Sequence, residues 1–381
     1  MKNLDEIRVE INAVDDELLN VIELISIILD LTKDVAEYKK ENNLPILDRD
    51  RELWILDHIT EDKSADLVVP LRETYETLFR VSRFRQSQLI DPDESFINGV
   101  IATFTDDAFP TSGSVAITDD PNDLPVAQAL FDNPRCITLN NDMKIVDAVN
   151  LGLAQYGILP IEDNRSGAKA LTYDLLLKKT CHIVRGIKVN LHYKLVSANN
   201  VPFTSLKTVV VDRRSYYHCS EFLATLNCNI VEKGAEDISE EIADPSDDFI
   251  AWIVPAHLEI SDQLHVLRQE VANPGDYIRY ICLAKTPRIH PDADSISLML
   301  SVPNVSGGLD DVLSPLAALG VNLTLLESRP IVDGNHTTHR FFMDMDSNIR
   351  EPQVQAIINQ LSRDCPAFSL LGAYKNVEIE L

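Results

Sequence analysis

The chain has 381 residues, 45% of them hydrophobic, with 34 basic against 60 acidic side chains and a formal net charge of −26. Such a length requires two or three domains with real cores. The charge excludes nucleic acid and anionic membranes as partners, but not a small anion held by a few local cations. Six cysteines without a CxxC spacing point to neither a metal site nor a disulfide frame, and neither metal nor cofactor is expected. The start, MKNLDEIRVEI, is charged and unlike a signal peptide. The longest apolar run, Val21–Leu31, is broken by Glu23 and Asp30 and too short to span a bilayer. A soluble cytoplasmic protein is expected.

Leu4 to Lys40 contains no proline or glycine, and Leu4, Ile7, Ile11, Val14, Leu18, Ile22, Ile25 and Leu29 recur three or four apart. This spacing predicts one amphipathic helix about 55 Å long, whose seam needs a partner's copy to cover it. Further helices are predicted over Asp48–Thr60 and Leu67–Ile90, giving an all-α region without strands. Asp91–Ser95 reads as a linker and Gly99–Phe104 as a strand. From there strands and helices alternate up to about Lys285, an α/β pattern: a helix over Ile145–Gln155, strands within His182–Ser197, at Thr208–Val211, Cys228–Val231, Phe249–Val254 and Tyr277–Ala284, and a helix over Ser215–Leu226.

The most informative stretch is Tyr156–Leu177, YGILPIEDNRSGAKALTYDLLL. An apolar strand to Ile161, a polar turn over Glu162–Gly167 and a helical pattern follow one another. This places the turn where open α/β sheets bind small anions. From Ser295 the order becomes strand–helix–strand, and Phe341–Met345, Val354–Leu361 and Phe368–Ala373 complete a βαββαβ, ferredoxin-like plan.

Strand, "PIE", a polar triplet, "SGA" and "LTYDLLL" resemble the catalytic loop of prephenate dehydratases, with Asp163 where that family has asparagine and Asn164 beside it. The first 90 residues resemble the helical chorismate mutase domain of the bifunctional enzymes through Arg8, Lys39, Asp48, Arg51, Glu52, Ser82 and Gln86. Glu327-Ser328-Arg329-Pro330 resembles the ESRP motif of the phenylalanine-binding ACT domain, and Gly308-Leu309 partly matches its companion. The resemblance implies three domains: mutase-like over 1–92, dehydratase-like and two-lobed over 97–286, ACT over 295–376. It implies prephenate as substrate, an aromatic amino acid as effector and a homodimer. Geometry supports the dimer: Arg8 and Lys39, 31 residues apart on one helix, are separated by about 46 Å, so one site needs both subunits.

Departures from the family are concentrated at the chemistry. Eleven residues before Lys39, where the family has an arginine, stands Ile28; counting from Arg8 gives Ile25, and Val21–Leu31 holds no cation. The mutase domain is then a dimerising relic. Val211, Asp212, Arg213 and Arg214 replace a serine–histidine–proline–glutamine motif, and Thr105–Phe109 replaces a glycine-rich loop. Ile278-Arg279-Tyr280 stands for threonine–arginine–phenylalanine. Dehydration needs a proton donor at the leaving ring hydroxyl, and isoleucine has none. Protonating a ring carbon instead gives decarboxylation without aromatisation, the reaction of prephenate decarboxylases that open antibiotic and non-proteinogenic amino acid pathways. Arg279 would hold a carboxylate, with Arg213 or Arg214. Asp163, Asp212, His218 and Tyr280 are the candidates for placing the proton. A working bifunctional mutase–dehydratase and a non-catalytic aromatic amino acid sensor are the alternatives.

Overall fold

The structure, a computed structural model, describes residues 3–90, 94–178, 181–243, 245, 249–302, 307–333 and 336–381. The chain divides into two compact units. One comprises Met1–Gly99, Val305–Gly320 and Gln355–Asp364; the other comprises Val100–Asn304, Val321–Val354 and Cys365–Leu381. No helix among the described residues is long and apolar enough to cross a membrane.

In the first unit, α1 (Leu4–Glu41) starts on a capping box. Asn3 Oδ1 accepts from the Glu6 amide and the Glu6 carboxylate accepts from the Asn3 amide, satisfying two otherwise free donors. α2 (Arg49–Thr60) starts on Asp48, whose carboxylate accepts from the Arg51 amide, and α3 (Ala65–Ile90) returns along α1. Thr32, Ala36, Leu56, Gln86 and Ser87 are buried, whereas Leu4, Ile11, Val14 and Leu18 on α1 are at least half exposed. A stripe of large apolar side chains is thus open to water along several turns of α1.

α4 (Ser95–Ile101) replaces the strand expected over Gly99–Phe104. Ile97 and Val100, three apart, are both buried, so the run is read at helical rather than alternating period. Of the expected linker, 91–93 lies outside the described residues and Ser95 already begins α4.

The second unit continues with β1 (Ser114–Ile117), α5 (Asp123–Leu130), β2 (Arg135–Thr138), α6 (Asp142–Asn150), β3 (Tyr156–Asp163), β4 (Gly167–Ala168), α7 (Ala170–Lys178), β5 (His182–Asn190) and β6 (Tyr193–Ser197). Then come β7 (Thr208–Val211), α8 (Arg213–His218), α9 (Ser220–Leu223), β8 (Asn229–Glu232), α10 (Ala235–Ala243), β9 (Ile250–Pro255), β10 (His265–Arg268) and β11 (Tyr277–Ala284). One lobe is the sheet β5-β11-β3-β1-β2 and the other is β10-β6-β9-β7-β8. β1, β2 and β3 run parallel, with β11 antiparallel between β3 and β5. The single helix expected over Ser215–Leu226 is broken at Cys219 into α8 and α9, and the helix expected over Ile145–Gln155 ends at Asn150.

The C-terminal order is β12 (Ser295–Ser301), α11 (Asp310–Ala318), β13 (Asn322–Asp333), β14 (His336–Asp346), α12 (Pro352–Asp364) and β15 (Ala367–Tyr374), the ferredoxin-like βαββαβ succession. Its sheet is ordered β13-β14-β12-β15. This sheet packs on the face of the first lobe that carries Ile183, Ile281 and Leu283, through Met299, Phe342, Leu371 and Tyr374. The approach is close: a Cβ on Gly372 would lie 2.2 Å from the Ile183 carbonyl oxygen, so no larger residue fits. A final strand, β16 (Asn376–Glu380), joins the first lobe parallel to β5.

Candidate active site

β3 is buried along both faces, as its unbroken apolar sequence requires, and carries the chain into the cleft. The strand runs two residues beyond the expected Ile161, so Glu162 and Asp163 belong to it and the turn is Asn164–Ser166. The Asp163 carboxylate accepts from the turn amides of Arg165 (2.8 Å) and Ser166 (3.1 Å). Asn164 ties the turn to the segment before β11, donating to the Gly275 carbonyl (3.1 Å) and accepting from the Tyr277 amide (3.0 Å).

At the centre is His218, the last residue of α8 in the second lobe and fully buried. Its Nδ1 lies 2.8 Å from Asp276 and its Nε2 3.2 Å from Asp163. Arg165 completes the group, its Nε reaching both Asp276 oxygens at 2.7 and 3.0 Å. Burial works against the imidazolium, but the two carboxylates outweigh it and raise the His218 pKa. Burial would likewise raise Asp163; the His218 contact and the two turn amides outweigh it and hold this carboxyl well below the usual range. An imidazole with a buried carboxylate at each ring nitrogen, and the exposed Arg165 guanidinium beside one of them, joins β3, α8 and the entry to β11.

A second group spans the lobes alongside it. Arg214, in the first turn of α8, donates to Asp120, after β1, at 2.5 Å. Asp123 accepts from the Thr118 amide and hydroxyl; burial and the nearby Asp120 push its pKa up to about 6. Asp212 caps α8, accepting from the amides of Arg214 (2.9 Å) and Ser215 (3.2 Å) and from the Ser215 hydroxyl. Arg213 points outward and is exposed.

β11 distributes the altered motif over two faces, because successive strand residues point opposite ways. Ile278 and Tyr280 face the core shared with Tyr193, Val211 and Cys219, both essentially without exposure. Arg279 faces the other way. Its guanidinium binds Glu162 at 2.8 Å and Asp344 of β14 at 2.5 Å, beside a cavity of about 260 Å³ that Lys188 and Thr324 also line. Arg279, expected to hold a substrate carboxylate, thus stands on the face of β11 opposite Ile278 and Tyr280, with two carboxylates on its guanidinium.

In the helical unit, Lys39 Nζ donates to the Ile46 carbonyl, and burial lowers its pKa despite nearby Asp48 and Glu52. Glu52 binds Arg83 at 2.5 and 2.7 Å, Ser82 lies 3.2 Å from Thr32, and Gln86 donates to Ser82 at 3.1 Å. Arg51 stacks over Trp54, 4.4 Å to the ring centroid. Arg8 pairs with Asp5 at the far end of α1, and Ile28 is exposed. Neither Arg83, a cation beside Glu52 and Lys39, nor Asp276 is marked by a sequence pattern, because their partners come from distant segments.

In the C-terminal region, Gly308 and Leu309 immediately precede α11. On β13, Glu327 and Pro330 sit opposite Phe342 and His339 in register. Ser328 contacts His339 at 3.2 Å, and Arg329 reaches Asp174 on α7 at 3.6 Å.

A two-lobed α/β domain with a charged cleft, preceded by helices and followed by a ferredoxin-like sheet, is the class this chain defines. Three family models match in tandem: chorismate mutase type II over residues 7–87, prephenate dehydratase over 125–288 and ACT domain over 296–364. The chain is 24% identical over 380 residues to a bifunctional chorismate mutase/prephenate dehydratase of Pseudomonas aeruginosa, covering 97% of each. Among solved structures, the prephenate dehydratase of Arthrobacter aurescens in complex with L-Phe matches 68% of the chain and 89% of its own (TM-score 0.56, 21% identity). GqqA, described as a quorum quenching acylase, matches 69% and 98% (TM-score 0.58, 19% identity). At these identities the structures establish the fold alone, and a fold does not fix a chemistry. The chain thus resembles the bifunctional chorismate mutase/prephenate dehydratases along almost its whole length.

Proposed function

We propose that the α/β cleft acts on prephenate as a decarboxylase, releasing carbon dioxide while the ring keeps its hydroxyl, at the head of a pathway to a non-proteinogenic amino acid or antibiotic. The observation carrying this reading is Ile278. It takes the place of the threonine in the resembling enzymes, lies fully buried in the core shared with Tyr193, Val211 and Cys219, and has no atom that can protonate a leaving hydroxyl. Arg214 is the proposed carboxylate clamp: bidentate guanidinium suits a dianionic substrate, and Asp120 occupies it until a substrate carboxylate displaces it. Faster release of carbon dioxide from carboxyl-labelled prephenate than the spontaneous rate is expected; release at the spontaneous rate would leave a ligand sensor. Dehydration of prephenate is the second reading, favoured by the similarity over 97% of the Pseudomonas enzyme.

For the helical region we infer a homodimer through the exposed α1 stripe, with weak mutase activity because Ile28 offers no cation. Deleting residues 1–90 is expected to lower the oligomeric state measured by light scattering; an unchanged mass would remove this argument. Chorismate consumption is expected far below the order of 10 per second typical of enzymes, and a turnover at that level would overturn the inference. The ACT-like region is proposed to bind an aromatic amino acid effector through Gly308, Leu309 and Glu327–Pro330.

A further inference from the structure

Four side chains stand as candidates for placing the proton, and their surroundings separate them. Asp163 is held ionised by His218 and two turn amides, so it has no proton to give. Asp212 is used as a helix cap, accepting three hydrogen bonds. His218 has both ring nitrogens engaged by carboxylates, so neither is free to face a ligand. Tyr280 differs: its hydroxyl is buried yet has no hydrogen-bond partner. An unpartnered buried hydroxyl costs about 1–3 kcal/mol, a defect that persists when function uses it. Arg214, Asp120, Asp123 and Tyr193, the group that bridges the lobes, are the charged and polar groups whose fields act on it. It also lies on the same face of β11 as Ile278, two residues on and about 7 Å along the strand. A donor has thus been lost at one position and gained at the next one on the same face.

We propose that Tyr280 is the catalytic proton donor, delivering its phenolic proton to a ring carbon of prephenate as carbon dioxide leaves. The inference rests on the decarboxylase reading. The bond from ring carbon 1 to its carboxylate breaks and carbon dioxide departs. The freed electron pair forms the carbon 1–carbon 2 double bond, and the former carbon 2–carbon 3 π pair takes the proton at carbon 3. The hydroxyl on carbon 4 stays, and no oxidant or reductant is needed. Tyr280 is left as phenolate; burial, Asp120 and Asp123 disfavour that charge and the Arg214 guanidinium offsets only part of it, so water reprotonates it on product release.

Tyr280→Phe, which restores the residue of the resembling enzymes and deletes one oxygen, tests this. Carbon dioxide release is expected to fall about 10²–10⁴-fold in kcat, the usual worth of general acid assistance. Prephenate affinity, measured by titration calorimetry, is expected to stay within about threefold, and the thermal midpoint is expected not to fall. Should the variant melt early, 3-fluorotyrosine at position 280 replaces it: a more acidic phenol must alter kcat. Wild-type decarboxylation with unchanged kcat in Tyr280→Phe, or in the fluorinated protein, overturns the role of Tyr280 and leaves the reaction standing. Phenylpyruvate as the wild-type product overturns the reaction, and carbon protonation by Tyr280 with it.

Discussion

His218→Ala is expected to destabilise the α/β region by about 3–5 kcal/mol, the cost of removing one partner from a buried ionic group. The loss exceeds that of a simple truncation because Asp163 and Asp276 would then face each other without the imidazolium between them, with only Arg165 to offset them. The effect carries a pH signature. His218 has its pKa raised on folding, so its contribution is complete below the unfolded value near 6.5 and is lost as pH rises through the higher folded value. Asp163 has its pKa lowered, so its contribution is present above about 3.9 and lost as pH falls through the folded value. Wild type and variant should therefore differ most between those limits and converge in alkali. Urea midpoints across pH check this; a difference that stayed constant into alkali would mean that His218 acts through packing rather than charge.

Ile278→Thr is expected to release some phenylpyruvate from prephenate where the wild type releases none. A hydroxyl at this position regains a donor for the leaving ring oxygen, and general acid assistance of about 10²–10⁴ in rate makes even partial restoration detectable. The yield will be below that of a dehydratase, because Asp163 and Val211–Arg214 have changed alongside it and effects within one site do not add. Chromatography of the keto acids reads the result. A threonine variant yielding only the wild-type product would show that the missing hydroxyl does not by itself divert the reaction.

The sequence carried the fold far. α1 was legible because its apolar seam is unbroken from Leu4 onward, and β3 because Tyr156–Ile161 is continuously apolar. Gly99–Phe104 misled because a short apolar run has no periodicity of its own; only the joint burial of Ile97 and Val100 reveals the helix. β16 could not be foreseen, since NVEIE acquires its meaning by pairing with β5, some 190 residues earlier. In the cleft, Asp163, Asp212, Arg214 and Tyr280 were identifiable by position, but their roles depend on Asp120 and Asp276, which no local pattern ties to them. The orientation of Arg279 was in principle legible. Alternation along β11 puts it opposite Ile278 and Tyr280, whereas its carboxylate partners on β3 and β14 required the packed sheets.

The most direct measurement is the identity of the wild-type product from prephenate, by ultraviolet spectrum and mass. The account predicts a non-aromatic dihydro product that has lost carbon dioxide and kept the ring hydroxyl. Phenylpyruvate, lighter by the elements of water and aromatic, would contradict it.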